Sequence, residues 1–160
     1  MIKLLLREMP FFCREGGKAF FTYLKTFNYL IMYQLNEKEE ILCKGVFDAA
    51  FKVHKQLGPG LLEKIYETCF CYELDKASIE YKRQVDLPIY YDNIVFDEGL
   101  RIDVLVEDLI ICELKAVDTV HPIWQAQVLS HLRLTGNHVG FIINFNSILI
   151  KDGMRRYCLE

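Results

Sequence analysis

The chain has 160 residues, of which 52% are hydrophobic and 26% charged, a balance that excludes a disordered or membrane-embedded chain and allows one packed domain. The formal net charge of −3 excludes a protein that holds nucleic acid through a broad basic surface, so any such contact should be local. Six scattered cysteines and no convincing secretory signal favour reduced thiols and a cytoplasmic protein.

Residues 1–35 form an aromatic and apolar extension that differs in composition from the rest of the chain. Charges interrupt it before the run of about 20 apolar residues that a membrane span requires, so we expect no stable membrane insertion. Residues 18–33 fit an amphipathic helix. The extension is then an extra helix packed on the domain, an interfacial helix, or a segment upstream of the true start, with Met32 as the alternative. We take residues 36–160 as the domain.

Two helices are predicted at the start of the domain. Asn36 followed by Glu39 has the arrangement of a capping box, and apolar residues then recur at helical spacing over residues 37–57. The run Gly58-Pro59-Gly60 ends this helix, because glycine tolerates the left-handed cap and proline cannot continue the hydrogen-bond ladder. A second helix is predicted over residues 61–76.

The rest of the chain alternates between strands and one helix. Pro88 lies in the first β-branched and aromatic run, which therefore predicts an edge or bent strand. Another helix starts at His121-Pro122 and ends at Gly136. Strands are predicted over residues 79–91, 100–106, 109–117 and 139–145, with a last short strand from Ile148. This order predicts an α/β domain.

Charged residues interrupt two strands that are otherwise apolar. Asp103 lies in the strand over residues 100–106, and Glu113 and Lys115 lie in the next strand. A buried charge without a partner costs several kcal/mol, so these groups should be paired, solvated in a cleft or bound to a metal. A salt-bridged pair at the surface is the simplest alternative.

The length of the turn between these strands decides which residues face each other. An odd loop, such as residues 107–109, places Asp103 opposite Glu113 and Arg101 opposite Lys115. Strict alternation along the first strand puts Arg101, Asp103 and Leu105 on one face, with Ile102, Val104 and Val106 on the other. An even loop without a bulge would separate the two carboxylates.

Two neighbouring carboxylates indicate a site for a hard divalent cation, Mg²⁺ or Mn²⁺. Such an ion relieves their mutual repulsion while it keeps several waters and accepts a phosphate oxygen. It also stabilises charge on the phosphate and lowers the pKa of a bound water, which Lys115 can orient. The pattern is therefore typical of phosphodiester hydrolysis.

Asp103 followed by Glu113-Leu114-Lys115 resembles the D-x(n)-E-x-K core of the PD-(D/E)XK nucleases, with Ile102 in the often-variable proline position. The resemblance extends over residues 37–156. It implies a restriction-endonuclease-like core, in which a mixed central β-sheet is flanked by helices. Residues 1–35 are expected to add an extra N-terminal helical segment to this core.

Residues 54–67 are similar to the signature of the GxxExxY protein family, a group within that superfamily. Gly60, Glu63 and Tyr66 stand at its named positions. The resemblance implies that Glu63 joins Asp103 and Glu113 as a metal ligand. A carboxylate that is simply favoured at a helix N-terminus is the alternative for Glu63.

The resemblance also implies roles beyond the metal ligands. Gln127 matches the glutamine of a Q-x-x-x-Y motif that helps to hold the site or the substrate, but His131 replaces its tyrosine. His54, Tyr66 and Arg101 are candidates for substrate binding. Packing is the competing interpretation of Tyr66, and capping or packing that of His54.

These observations predict a Mg²⁺- or Mn²⁺-dependent nuclease whose partner is nucleic acid, DNA before RNA. An inactive nuclease-fold interaction module in a repair or defence complex is the alternative. A third interpretation places the function in residues 1–35, as a membrane-surface or partner-docking segment. A homodimer is implied only in so far as many superfamily members dimerise.

Overall fold

The computed structural model describes residues 33–159, so the predictions for residues 1–32 lie outside the described part. The described elements follow one another as two helices, three strands, a helix, a strand, a short helix and a strand. In chain order they are α1 (Glu37–Leu57), α2 (Glu63–Lys76), β1 (Tyr81–Tyr91), β2 (Ile94–Val106), β3 (Ile110–Lys115), α3 (Ile123–Thr135), β4 (Val139–Asn144), α4 (Ile150–Gly153) and β5 (Met154–Cys158).

The five strands form one mixed sheet in the order β1-β2-β3-β4-β5. β3 and β4 run parallel, and the other neighbouring pairs run antiparallel. The parallel pair needs a crossover connection, which α3 supplies. The predicted α/β fold, a mixed sheet flanked by helices as in restriction endonucleases, is confirmed.

The helices begin and end where local chemistry dictates. The Asn36 side chain accepts a hydrogen bond from Glu39 N, and the Glu39 carboxylate accepts one from Asn36 N, both at 2.9 Å. Gly58, with φ of 66°, ends α1 and donates its N–H to His54 O. The predicted bounds of α1 are confirmed, whereas α2 begins at Glu63, two residues after the predicted start.

Both faces of the sheet are covered. α1 and α2 pack on one face and α3 on the other, so each face has its own apolar core. Fully burying one aliphatic or aromatic side chain contributes about 1.5–3 kcal/mol, so these two cores provide most of the stabilisation. In β2 and β3, the residues that point towards α1 and α2 are Val104, Val106, Ile110, Cys112 and Leu114.

The hairpin of β1 and β2 is longer than predicted. β2 begins at Ile94 instead of residue 100, after a turn in which Asp92 and Asn93 have φ of 47° and 63°. The register of the pairing with β2 shifts once, between Leu87 and Ile89, where Pro88 lies. A Cβ on Gly99 would lie 1.5 Å from the backbone oxygen of Leu87, so the close approach there requires glycine.

β2 is irregular at Asp103. The ladder with β1 leaves Gln84 unpaired opposite Asp103, and Gln84 has φ of 49°. Ile102 packs with Leu105 in the core beneath α3, although strict alternation would place it on the face of Val104. The predicted alternation is therefore wrong at this point: Ile102 lies on the α3 face, where the ladder is interrupted and Gln84 has a positive φ.

The end of the chain also differs from the prediction. Instead of a strand from Ile148, the four-residue helix α4 precedes β5, which pairs antiparallel with β4. A strand that returns antiparallel beside its predecessor needs a reversal, and the segment with α4 makes it. Among the described helices, none combines the length and apolar character needed to cross a bilayer.

Candidate active site

Asp103 and Glu113 lie where the pairing between β2 and β3 stops. The ladder pairs Val106 with Ile110 and ends at Val104 with Cys112, so the connection is the three residues 107–109. This confirms the odd-loop register. The next pair would be Asp103 and Glu113, but there the Asp103 carboxylate accepts the Leu114 N–H at 2.9 Å. The predicted facing of Arg101 and Lys115 falls beyond the paired part.

Lys115 lies between the two carboxylates. Its Nζ is 3.5 Å from Asp103 Oδ2 and 3.6 Å from Glu113 Oε2. The same Nζ donates to the carbonyl oxygen of Leu114 at 2.9 Å. The side chains of Lys115 and Asp103 are 15% and 18% exposed, whereas that of Glu113 is 1% exposed. The site therefore opens to solvent on the side of Asp103 and Lys115.

Two side chains of α3 bond to the Glu113 carboxylate. His131 Nδ1 lies 2.8 Å from Glu113 Oε1, and Gln127 Nε2 donates to Glu113 Oε2 at 3.2 Å. The two residues stand four apart and so share one face of the helix. His131 is fully buried, and within the described residues its Nε2 has no hydrogen-bond partner.

The role of His131 was missed from the sequence, where it counted only as a departure from a tyrosine. The available signal was its spacing from Gln127, which puts both side chains on the same surface of α3. A buried carboxylate needs such donors, because an unpaired charge in the core costs several kcal/mol. The site thus consists of Asp103, Glu113 and Lys115 together with Gln127 and His131.

Glu63 is the first residue of α2 and lies in the electrostatic field of the same site. Burial is the main cause that raises the pKa of Glu63; Lys115 lowers it, and Asp103 and Glu113 raise it further. The residue is exposed as a whole, but lost hydration is the largest of these effects on its carboxyl. The charged form of Glu63 is therefore less favoured than that of a fully solvated glutamate.

Tyr66 fixes the loop that leads to Glu63. Its hydroxyl donates to the Gly58 carbonyl at 2.6 Å and accepts the Leu61 N–H at 3.0 Å. Its ring is fully buried and stacks on Phe145 with centroids 4.7 Å apart. Both bonding positions of the hydroxyl serve the loop, so Tyr66 shapes the approach to α2.

The other two candidates for substrate binding have different surroundings. His54 Nε2 lies 2.7 Å from the carbonyl oxygen of Ser147 and so joins α1 to the segment after β4. Arg101 is exposed on β2, two residues before Asp103. The ring of His54 is therefore engaged with a backbone group, whereas Arg101 is exposed to solvent.

Asn144 supports the strand that carries Glu113 and Lys115. It pairs with Lys115 in the parallel ladder, and its amide group donates to Val117 O at 2.9 Å and accepts Val117 N–H at 3.1 Å. Its side chain thus replaces a strand neighbour just beyond the end of β3. This keeps Lys115 in place where the regular ladder ends.

The arrangement offers two converging carboxylates, one ammonium group and an acidic neighbour at a helix start. Within residues 33–159 no group of three His, Cys, Asp or Glu residues surrounds a common metal position. The two carboxylates nevertheless share one cation, Lys115 Nζ. Such a pair can bind a cation and act on a phosphate ester.

A family model described as the PD-(D/E)XK nuclease superfamily matches residues 40–157. The matched region runs from α1 into β5 and contains all five site residues. No curated protein and no solved structure matches the chain at a significant level.

Proposed function

The chain belongs to the PD-(D/E)XK nuclease superfamily, and on this premise we propose that it is a metal-dependent nuclease that hydrolyses phosphodiester bonds of DNA or RNA. One observation carries the proposal. Asp103 and Glu113 come from adjacent strands and approach a single cation, Lys115 Nζ, to 3.5 and 3.6 Å. The fold by itself would not assign a reaction, because function belongs to the site.

A divalent ion suits this set of donors. Mg²⁺ takes one or two protein carboxylates and fills its remaining positions with water and substrate phosphate oxygens. Asp103 and Glu113 would hold it, and Glu63 would become a third ligand if its side chain turned inwards. When bound, Mg²⁺ or Mn²⁺ stabilises negative charge on the phosphate and lowers the pKa of water.

The chain's own residues supply the other parts of the reaction. Gln127 and His131 fix the Glu113 carboxylate, so that it need not reorganise when substrate binds. Lys115 holds positive charge beside both carboxylates and can donate to a phosphate oxygen or orient the attacking water. Asn144 keeps the end of β3 in place.

Nucleic acid, DNA before RNA, is the proposed partner. The net charge of −3 requires local phosphate contacts, and Arg101, which is exposed two residues before Asp103 on β2, is suited to one. We assign His54 and Tyr66 to the positioning of the loops around the site, because their polar atoms bond to backbone groups.

Within the superfamily we propose membership of the GxxExxY group. The structural use of its named positions supports this: Gly60 has φ of 102°, Glu63 begins α2, and Tyr66 fixes the intervening loop. A cytoplasmic protein remains the proposal, supported by free cysteines such as Cys112, whose thiol pKa is raised by burial. A homodimer also remains a proposal.

A second candidate is an inactive nuclease-fold module in a nucleic-acid repair or defence complex. One observation favours it, since the ammonium group of Lys115 already lies between the two carboxylates and no third ligand joins them within the described residues. In that case the ion pair would be structural, and the protein would bind its partner without cleaving it.

Cleavage assays with matched variants separate the two candidates. Asp103→Asn and Asp108→Asn make the same change in one hairpin, but Asp108 lies on the exposed turn and pairs with Lys82. Labelled single- and double-stranded DNA and RNA are incubated with each protein and Mg²⁺ or Mn²⁺. The nuclease proposal requires cleavage by the wild type and Asp108→Asn but not by Asp103→Asn. Absence of cleavage by a folded wild type would favour the inactive module.

A further inference from the structure

A cavity of about 270 Å³ lies beside the candidate active site, between the N-terminal end of α3 and the strands β4 and β5. Val120, Pro122 and Ile142 give it apolar walls. Its polar lining comes mainly from His121, Gln125, Asp152, Arg155 and Tyr157. None of these polar residues belongs to the site described above.

The cavity is one strand away from the carboxylates. Ile142, in its wall, pairs with Glu113 in the parallel ladder, and Asn144, also in its wall, pairs with Lys115. Paired residues of parallel strands point to the same face, and neighbouring strands are about 4.8 Å apart. The cavity and Glu113 therefore share the α3 face of the sheet, so a bound nucleotide can reach both.

The chemistry of the lining favours a nucleobase over a phosphate. A phosphate pocket would have an excess of positive charge, but here the lining contains one acidic residue, Asp152, as well as Arg155. A base presents an apolar face together with donors and acceptors on its edge, which matches apolar walls with an amide, a carboxylate and a guanidinium. The Gln125 amide can donate and accept, as base edges require.

The size of the cavity limits what can enter. Small-ligand pockets have volumes of about 300–1,000 Å³, and this cavity of about 270 Å³ lies just below that range. It has room for one base with part of its sugar, whereas a base pair would not fit. The base must therefore be unpaired when it enters.

We propose that this cavity receives the base of one unpaired nucleotide next to the scissile phosphate, so that the protein acts on single-stranded or locally unpaired nucleic acid. That the neighbouring phosphate is cleaved rests on the proposed nuclease function. The cavity itself can be tested without cleavage.

Photo-cross-linking of single-stranded DNA and RNA oligonucleotides that carry one thiolated pyrimidine base tests the cavity directly. The full chain is irradiated with each oligonucleotide in Mn²⁺ and in EDTA, and the cross-linked residues are identified by mass spectrometry. Gln125→Trp fills the cavity, and Ala126→Trp makes a similar addition at the neighbouring exposed position on α3. Thermal unfolding establishes that both variants fold.

The proposal predicts cross-links to residues that line the cavity, such as His121 and Tyr157. It also predicts that their yield falls about tenfold in Gln125→Trp, within the range for the loss of one base contact, and is unchanged in Ala126→Trp. Cross-links elsewhere, or equal yields in a folded Gln125→Trp, would overturn it. Cavity cross-links without cleavage would support the base pocket and refute the nuclease function. Cleavage without cavity cross-links would support the nuclease function and refute the base pocket.

Discussion

Substitution of His131 should separate the orientation of Glu113 from the stability of the fold. His131→Leu removes a hydrogen bond to a charged group, which contributes about 1.5–3 kcal/mol. It also removes the buried Nε2, which has no partner among the described residues and costs about 1–3 kcal/mol in the wild type. These two changes offset each other, so the free energy of unfolding should change by less than about 2 kcal/mol.

The effect on metal binding should be larger. Without His131 Nδ1 the partners of the Glu113 carboxylate among residues 33–159 are Gln127 and Lys115. Loss of a partner to a ligand typically weakens metal affinity or activity by about 10–100-fold. His131→Asn places an amide nitrogen near the position of Nδ1 and should restore most of the affinity.

The assay is a calorimetric titration with Mn²⁺ alongside thermal unfolding of the wild type and both variants. The reasoning is refuted if His131→Leu binds Mn²⁺ as tightly as the wild type. It is equally refuted if His131→Asn is as impaired as His131→Leu while both remain folded. A large loss of stability in His131→Leu alone would show that the histidine acts mainly on the fold.

Three further predictions concern the neighbours of these carboxylates. Lys115→Met should reduce cleavage about 100-fold or more, and Mn²⁺ should raise the Tm of this variant more than that of the wild type, because the two carboxylates of the variant lack a cation. Lys151→Met is the control, and unchanged cleavage in Lys115→Met would contradict the prediction. Tyr66→Phe should lower the free energy of unfolding by about 2 kcal/mol through two lost hydrogen bonds, measured against Tyr72→Phe on the exposed side of α2; equal Tm values would contradict it. Burial raises the pKa of Glu63, so its ionised form destabilises the metal-free fold, and Glu63→Gln should have the higher free energy of unfolding at neutral pH. The difference from the wild type should shrink as the pH falls towards about 4, and a difference independent of pH would refute burial as the cause.

Local chemistry made part of the fold predictable. The start of α1 followed from Asn36 and Glu39, whose side chains and backbone groups satisfy each other without help from the rest of the protein. For β2 and β3, alternation reduced the register to two choices, and the three-residue loop of the structure decides between them. Both predictions depend on residues that are close in sequence.

Features that depend on distant contacts were not predictable in this way. The irregular backbone at Asp103 lies opposite Gln84 of β1, which is unpaired. The sequence of residues 100–106 does not indicate it. The full length of the β1–β2 hairpin was missed because a glycine such as Gly99 weakens the strand pattern of a sequence. In the structure, Gly99 instead allows a close approach to the backbone of Leu87. Each feature depends on what the neighbouring strand does.

The candidate site shows the same division. Asp103, Glu113 and Lys115 stood out because charge interrupts apolar strands, a pattern visible in the sequence. His131 did not, because its role depends on how α3 lies across β3. Asn144 lay within a predicted strand, but its bonds to the backbone of Val117 appear only in the folded structure.

The most direct test of the nuclease account is a titration of Mn²⁺ into the wild type and Glu113→Gln, in the presence of an oligonucleotide, with cleavage measured in the same samples. The account predicts that the wild type binds the ion and cleaves the strand, and that Glu113→Gln, still folded, loses both activities. A wild type that fails to bind Mn²⁺ even with nucleic acid present, or a Glu113→Gln variant that cleaves normally, would contradict it.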